Sequence, residues 1–370
     1  MKKASIITLQ YIDNYGSVLQ TYATQEIFRS IGYEGEIVNY TRENCTYSFQ
    51  KKLAFQRYRS RGGILSLYPI AKLLEYRWSF IVKKRTRVFD AFRKKYINLS
   101  KEYLTAQQLL NDPPVADVYV TGSDQTWNPE YNGGVLGEYF LNYAPANAKK
   151  IALSASIGTE SIAQEFANEM ANYINTYDGV SVRERSALVA LKNIGCSKAV
   201  HVLDPTLMLS GDEWTQSLHL NETDKPYVFM YQLNDNIKML DFAAQIARDN
   251  NIELVIITSK YRGANCKHKV INCCKPEHFL ELLKNAKYVV TDSFHGTAFS
   301  FNFNKDVYVF NPPKYSTRIK SILDLLGSDF RLVKDEHWSE IEKIDFDKVN
   351  LILSEEREKV RSFLSNHLNQ

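Results

Sequence analysis

The chain alternates short apolar runs with longer amphipathic segments. "ASIITLQ" (Ala4–Gln10) reads as a strand. "VLQTYATQEIFRSIG" (Val18–Gly32) follows at helical spacing, with Leu19, Tyr22, Ala23 and Ile27 on one face and Gly32 suited to its end. "EIVNY" (Glu36–Tyr40) is a second strand. "VADVYVTGSD", "KIALSASIG", "GVSVRER" and "AVHVLDPT" continue the pattern, and "YVFMYQL", "IELVIITSK", "YVVTDSFHG" and "DVYVFNPP" carry it through the second half. Several runs are apolar throughout, as strands covered on both faces are. Strand and helix in repeated alternation predict an α/β protein with parallel sheets.

At 370 residues and 44% hydrophobic content the chain suits two domains better than one. The polar stretch Asp212–Phe229 precedes a fresh strand and marks the expected division. It separates an N-terminal domain, 1–215, from a C-terminal domain, 216–345. The tail, 346–370, is expected to be a helix packing back on the first domain through Val349, Ile352, Val360, Phe363 and Leu364.

Charge changes this picture at one place. The whole chain carries only +4, yet residues 51–95 hold 14 Lys/Arg against Glu75 and Asp90, a local net of +12. Aromatic residues are interleaved there. The segment reads as a helical insert, about 45–105, in the first domain. Its plain reading is a solvated hairpin. Its sharper reading is a surface for anionic lipid or a phosphorylated, membrane-held substrate. Nucleic acid is a third reading, but no binding motif supports it.

Five cysteines without a Cys-x-x-Cys pair argue against a disulfide framework and a zinc site, and point to a reducing cytoplasm. Met1–Lys3 and the short apolar run behind it read as a first strand rather than a signal peptide. No P-loop motif is present and no Gly-x-Gly-x-x-Gly follows a strand, which disfavours nucleotide-cofactor chemistry.

Polar residues gather where the strands stop, the edge at which open parallel sheets bind ligands. Asn14, Gly16 and Ser17 follow the first strand, with Ser17 a candidate helix cap. Then come Thr121–Pro129, Arg183-Glu184-Arg185, Asp204-Pro205-Thr206, Thr291–Gly296, and Asn311-Pro312-Pro313 with Arg318 beyond. Each has a structural reading: Asn14–Gly16 a turn, Ser123 and Asp124 caps, Arg183 the partner of a buried acid, Asp204 a loop fastener, His295 a core histidine. Taken together, arginines and helix N-termini at one edge favour an anionic small substrate held by phosphate and carboxylate.

"NYGSVLQTYA", "TGSDQTWNP", "SVRERS", "VLDPTLML" and "TDSFHGTAFSF" occur in that order. This ordered set resembles the polysaccharide pyruvyl transferase family, from Asn14 to about Arg318. The resemblance implies two Rossmann-like domains facing a GT-B-like cleft, acceptor on the N-terminal side and donor on the C-terminal side. It also implies transfer of enolpyruvate from phosphoenolpyruvate to a sugar of a cell-surface polysaccharide or its lipid-linked precursor. The product is a pyruvate ketal, phosphate is released, and no metal or cofactor is required. Under it, His295 is the general acid or a phosphate contact, and Asp124 a base. Arg183, Arg318, Ser293, Gly296, Gly16, Ser17 and Asn14 bind the donor, and Gln125, Trp127 and Asp292 face the acceptor. The basic insert would touch the inner face of the membrane. Two alternatives stand beside this reading: a GT-B glycosyltransferase using a nucleotide sugar, and a non-catalytic glycan-binding relative.

Overall fold

The computed structural model describes residues 1–60, 63, 67–258, 268–314, 316–334 and 342–368. Arg61 of the basic segment, the end of "IELVIITSK" and Cys266 lie outside the described residues.

Among the described residues the strands form two parallel sheets. The first comprises β1 (Lys2–Ile7), β2 (Tyr33–Tyr40), β3 (Leu99–Tyr103), β4 (Val118–Thr121), β5 (Lys149–Ala155), β6 (Gly179–Val182) and β7 (Val200–His201), in the order β3-β2-β1-β4-β5-β6-β7. The second comprises β8 (Tyr227–Gln232), β9 (Glu253–Thr258), β10 (Lys269–Ile271), β11 (Tyr288–Thr291) and β12 (Asp306–Val309), in the order β10-β9-β8-β11-β12. Both are Rossmann-like: the order reverses between β1 and β4 and again between β8 and β11. Loops diverge at such switch points and leave a crevice.

Every residue of β4, β6 and β8 is buried, the burial that their largely apolar runs predict. The first helix departs from expectation. It spans Tyr15–Ser30 and is capped by Asn14, whose side chain accepts from the Gly16 amide, so Ser17 lies inside it. All residues from Tyr15 to Gln25 are buried rather than one face. The cause is position: the helix lies against the second half of the chain as well as the first. Tyr15 stacks on Phe279 at 4.4 Å, Tyr22 meets Trp214, and Trp214 meets Phe299 edge-on. Several of its polar side chains donate to partners inside, as Gln20 does to the Thr8 hydroxyl at 2.8 Å.

The stretch expected to divide the domains carries a helix, Gly211–Leu218, opened by a Ser210/Glu213 capping box. Trp214 from this helix is fully buried and donates to the Thr206 carbonyl. The tail forms the helix Phe346–Leu368, which lies against the short Pro205–Met208 helix and the Phe294–Asn302 helix. Arg357 donates to the Leu207 carbonyl and to Asn302 Oδ1, and Asn302 donates to the carbonyls of Thr206 and Leu209. One polar cluster therefore fixes the segment after β7 against the helix after β11.

The basic segment forms two packed helices, Tyr47–Arg59 and Tyr68–Tyr96. It is fastened to the loop after β1. Arg93 donates to the Gln10 carbonyl and to Asp13, Arg85 to the Asp13 carbonyl, and Thr86 to the Asp13 carboxylate.

Candidate active site

The carboxyl ends of both sheets open onto a cleft of about 560 Å³. Asn14, Ser17, Asp124 and Gln125 line it from the first sheet. Asp292, Ser293, Phe294, His295, Lys314 and Arg318 line it from the second. Eight residues chosen from the sequence thus meet at one surface. Gly16, Gly296, Arg183 and Trp127 do not line it.

His295 sits in the first turn of the Phe294–Asn302 helix, which Ser293 caps by accepting from the Gly296 amide at 3.2 Å. His295 as a whole is 6% exposed, and its Nε2 is buried without a hydrogen-bond partner. Nε2 lies 3.9 Å from Asp204 Oδ1. The ring lies over Gly16, where an added Cβ would stand 2.0 Å from Nδ1. Burial lowers the His295 pKa to about 4; Asp204 and Asp124 oppose this and Arg183 and Arg318 add to it. The imidazole is therefore neutral at pH 7 in the unliganded protein. Between the opposing influences of the helix N-terminus and the nearby acids, desolvation decides the outcome.

Beneath the cleft Arg183 is a charged hub. Its guanidinium donates to Asp204 at 2.7 Å, to Asp124 at 3.4 Å and to Glu184 at 3.4 Å. Burial disfavours its charge, but Asp204, Glu184 and Asp124 outweigh that, and its pKa is raised. The expectation that Arg183 binds donor meets a physical obstacle: its side chain is fully buried and its donors are turned onto carboxylates. Arg318, half-buried at the start of the helix Thr317–Leu325, and exposed Lys314 are the cations on the cleft wall. Both guanidiniums approach the Phe294 ring, Arg183 at 4.9 Å and Arg318 at 5.9 Å from its centroid.

The three acids around Arg183 differ. Asp204 accepts from Thr206 N, Thr206 Oγ1, Ser123 Oγ and Arg183. Burial would raise its pKa, but Arg183, His295 and these donors hold it at about 2. Asp124 accepts from Ser17 Oγ at 2.7 Å and from the Gln125 amide. Burial opposes its ionisation too, yet Arg183, His295, Ser17 and Arg318 lower its pKa below the ordinary value. Its φ of 73° is left-handed, a conformation Asp adopts more readily than most residues. Glu184, bonded by Ser156, is raised by burial despite Arg183.

Other expected residues are spent on structure. Asp292 accepts from the amides of Leu233 and Asn234 and from the Asn234 side chain, so it fastens the loop after β8. Gly296 packs α-carbon first against Thr291, and its amide belongs to the cap. Trp127, chosen for acceptor contact, is 1% exposed, stacks on Phe140 and donates to the Tyr139 carbonyl. Gln125 accepts from Asn128 at 2.7 Å at the cleft edge. Sequence reasoning passed over Lys314 and Phe294, and gave Asp204 only a structural role. The available signal for Asp204 was its place after β7, at the same edge as Asp124 and Arg183.

Among solved structures the chain is similar to a UDP-GlcNAc 2-epimerase from Methanocaldococcus jannaschii, with 12% identity, a TM-score of 0.47, and 98% of this chain and 99% of that chain covered. A UDP-GlcNAc 2-epimerase from Neisseria meningitidis gives 9% identity and 0.47, covering 98% and 93%. E. coli heptosyltransferase WaaC gives 11% and 0.38, covering 87% and 97%. Likenesses this distant say nothing of the ligand. No curated sequence matches the chain. A sequence model of the family described as polysaccharide pyruvyl transferase matches residues 14–313. That match runs from the Asn14 cap through the strand-end loops to Pro313 and takes in most of the cleft wall, with Lys314 and Arg318 just beyond it; the chain belongs to the polysaccharide pyruvyl transferase family.

Proposed function

We propose that this protein transfers enolpyruvate from phosphoenolpyruvate to two hydroxyls of a sugar, forming a pyruvate ketal and releasing phosphate. The observation that carries the reading is His295: a neutral imidazole with an unpartnered, buried Nε2, in a cleft whose wall holds Arg318, Lys314 and a helix N-terminus. Phosphate and carboxylate would lie against these positive groups. A bound trianion beside the imidazole raises its pKa, so donor binding charges the acid that the reaction needs.

Protonation of the methylene carbon makes the methyl group and leaves positive character at the neighbouring carbon. One sugar hydroxyl attacks there, the carbon–oxygen bond to phosphate breaks, and the second hydroxyl closes the ketal. The methylene gains one proton, and the departing phosphate carries away the other of the two hydroxyl protons. Asp124, ionised and held by Ser17, accepts a hydroxyl proton. Arg183 acts through others: it holds Asp124 and Asp204 in place. No metal or cofactor enters this scheme. The acceptor is a cell-surface glycan or its lipid-linked precursor.

The basic hairpin supports a membrane-facing position for the enzyme. Leu73, Tyr76, Phe80 and Ile81 are exposed on the Tyr68–Tyr96 helix beside Lys72, Arg77, Lys83 and Lys84. None of the helices, among the described residues, is long and apolar enough to cross a membrane. Cosedimentation with anionic vesicles at low salt, reduced in Phe80→Ser, is expected; no sedimentation would make the hairpin a solvated face.

The test of the reaction is incubation with phosphoenolpyruvate and cell-envelope glycans. Phosphate release coupled to a new ketal methyl signal by NMR is expected. Consumption of a nucleotide sugar instead would favour the glycosyltransferase reading.

A further inference from the structure

A second groove, about 650 Å³, runs between the Tyr68–Tyr96 helix and the loops after β1 and β2. It adjoins the cleft: Ile12 and Tyr131 line both spaces. Its volume falls in the range of about 300–1,000 Å³ that encloses small organic ligands.

Its lining combines aromatic rings with polar side chains. Trp78 and Tyr47 stack at 6.3 Å, 15° between planes, and both line the groove. Tyr131 stands 37% exposed at the junction with the cleft, with the Arg42 guanidinium 5.5 Å from its ring centroid. Aromatic rings of this kind take the apolar face of a sugar while their edges stay wet. Gln50 and Asn39 offer both donors and acceptors for hydroxyls.

Among the described residues that line the groove, the charged groups are three of each sign. Arg85, Arg93 and Lys94 stand against Asp13, Asp90 and Glu102, and Arg93 pairs with both Asp13 and Asp90 at 2.8 Å. A balanced wall whose main guanidinium is already paired does not call for a diphosphate. The groove is also rigidly tied to the cleft. The bonds from Arg85, Thr86 and Arg93 to Asp13 hold the helix against the loop that carries Ile12 and the Asn14 cap. Trp78, Val82 and Arg85 face the groove, while Leu73, Tyr76 and Phe80 lie on the outer face of the same helix.

We propose that this groove holds the sugars next to the one being pyruvylated, with Trp78 and Tyr47 as the rings that bind them. The inference rests on the pyruvyl transferase reading for the direction in which the acceptor runs. The test is a saturation-transfer NMR titration, without phosphoenolpyruvate, with mono-, di- and tetrasaccharides of glucose, galactose and mannose. Affinity is expected to rise at least tenfold with length for one series, and Trp78→Ala to remove that gain while leaving phosphoenolpyruvate affinity unchanged. No dependence on length anywhere in the panel, or a gain that survives Trp78→Ala, would overturn the groove. Phosphoenolpyruvate titrated separately reports on the donor: length-dependent sugar binding without donor binding sinks the donor reading and leaves the groove standing.

Discussion

Gly16 supports the imidazole of His295 with its bare α-carbon; a Cβ there would lie 2.0 Å from Nδ1. The two residues come from different sheets, one after β1 and the other after β11. The glycine is needed for close approach, not for an unusual backbone. Gly16→Ala must displace the ring of a residue that is 6% exposed. The expected result is a stability loss of about 1–3 kcal/mol, as for overpacked sites, with turnover lost and far-UV dichroism kept. Full activity in this variant would show that the position of His295 does not matter.

Arg183→Ala removes the guanidinium that Asp124, Asp204 and Glu184 all contact. Removing one partner of a buried charge cluster costs about 3–5 kcal/mol. The urea midpoint is expected to fall accordingly. An unchanged midpoint with lost phosphoenolpyruvate binding would return Arg183 to the donor.

His295 links stability to pH. Its folded pKa of about 4 lies below the ordinary 6.5, so between these values the unfolded chain binds a proton that the folded chain does not. Stability contributed by His295 is present above pH 6.5 and is lost as pH falls to about 4, by up to about 3 kcal/mol. Asp204, at about 2, adds a second loss between roughly pH 4 and 2. Denaturant titrations across pH are expected to show the first limb flattened in His295→Asn. An unaltered limb would assign it to other groups.

Donor binding is expected to take up a proton at about pH 7.5, where the donor phosphate is already ionised, because the bound trianion opposes the desolvation that keeps His295 neutral. Calorimetry in two buffers of different ionisation enthalpy reads the uptake directly. Zero uptake in the wild type would make His295 a neutral phosphate ligand, with the methylene proton coming from elsewhere.

Trp127→Ala is expected to cost about 3–5 kcal/mol, the range for a large aromatic lost from a core. Thermal unfolding checks it. Undiminished stability with weakened acceptor binding would restore the sugar-stacking role that its place in "TGSDQTWNP" suggested.

The contrast between Trp127 and His295 shows what a single sequence makes legible. Strand ends could be read from apolar runs, so the polar residues of the cleft edge could be gathered. The tail helix was equally plain, since Phe346–Leu368 carries its own periodicity. What stayed hidden depends on distant partners. Ser17 looked like a cap because Asp124, 107 residues away, is invisible beside it. Trp127 looked exposed among polar neighbours, while Phe140 and Tyr177 enclose it. The Gly211–Leu218 helix has a local signal of its own: Ser210 and Glu213 spell a capping box inside the polar stretch.

Calorimetric titration distinguishes phosphoenolpyruvate from a nucleotide sugar as the donor. Phosphoenolpyruvate and a panel of nucleotide sugars would be titrated at matched salt into the wild type and into Arg318→Ala. Saturable phosphoenolpyruvate binding, weakened at least tenfold in Arg318→Ala, is the predicted result. Tight binding of a nucleotide sugar, with none of phosphoenolpyruvate, would contradict it.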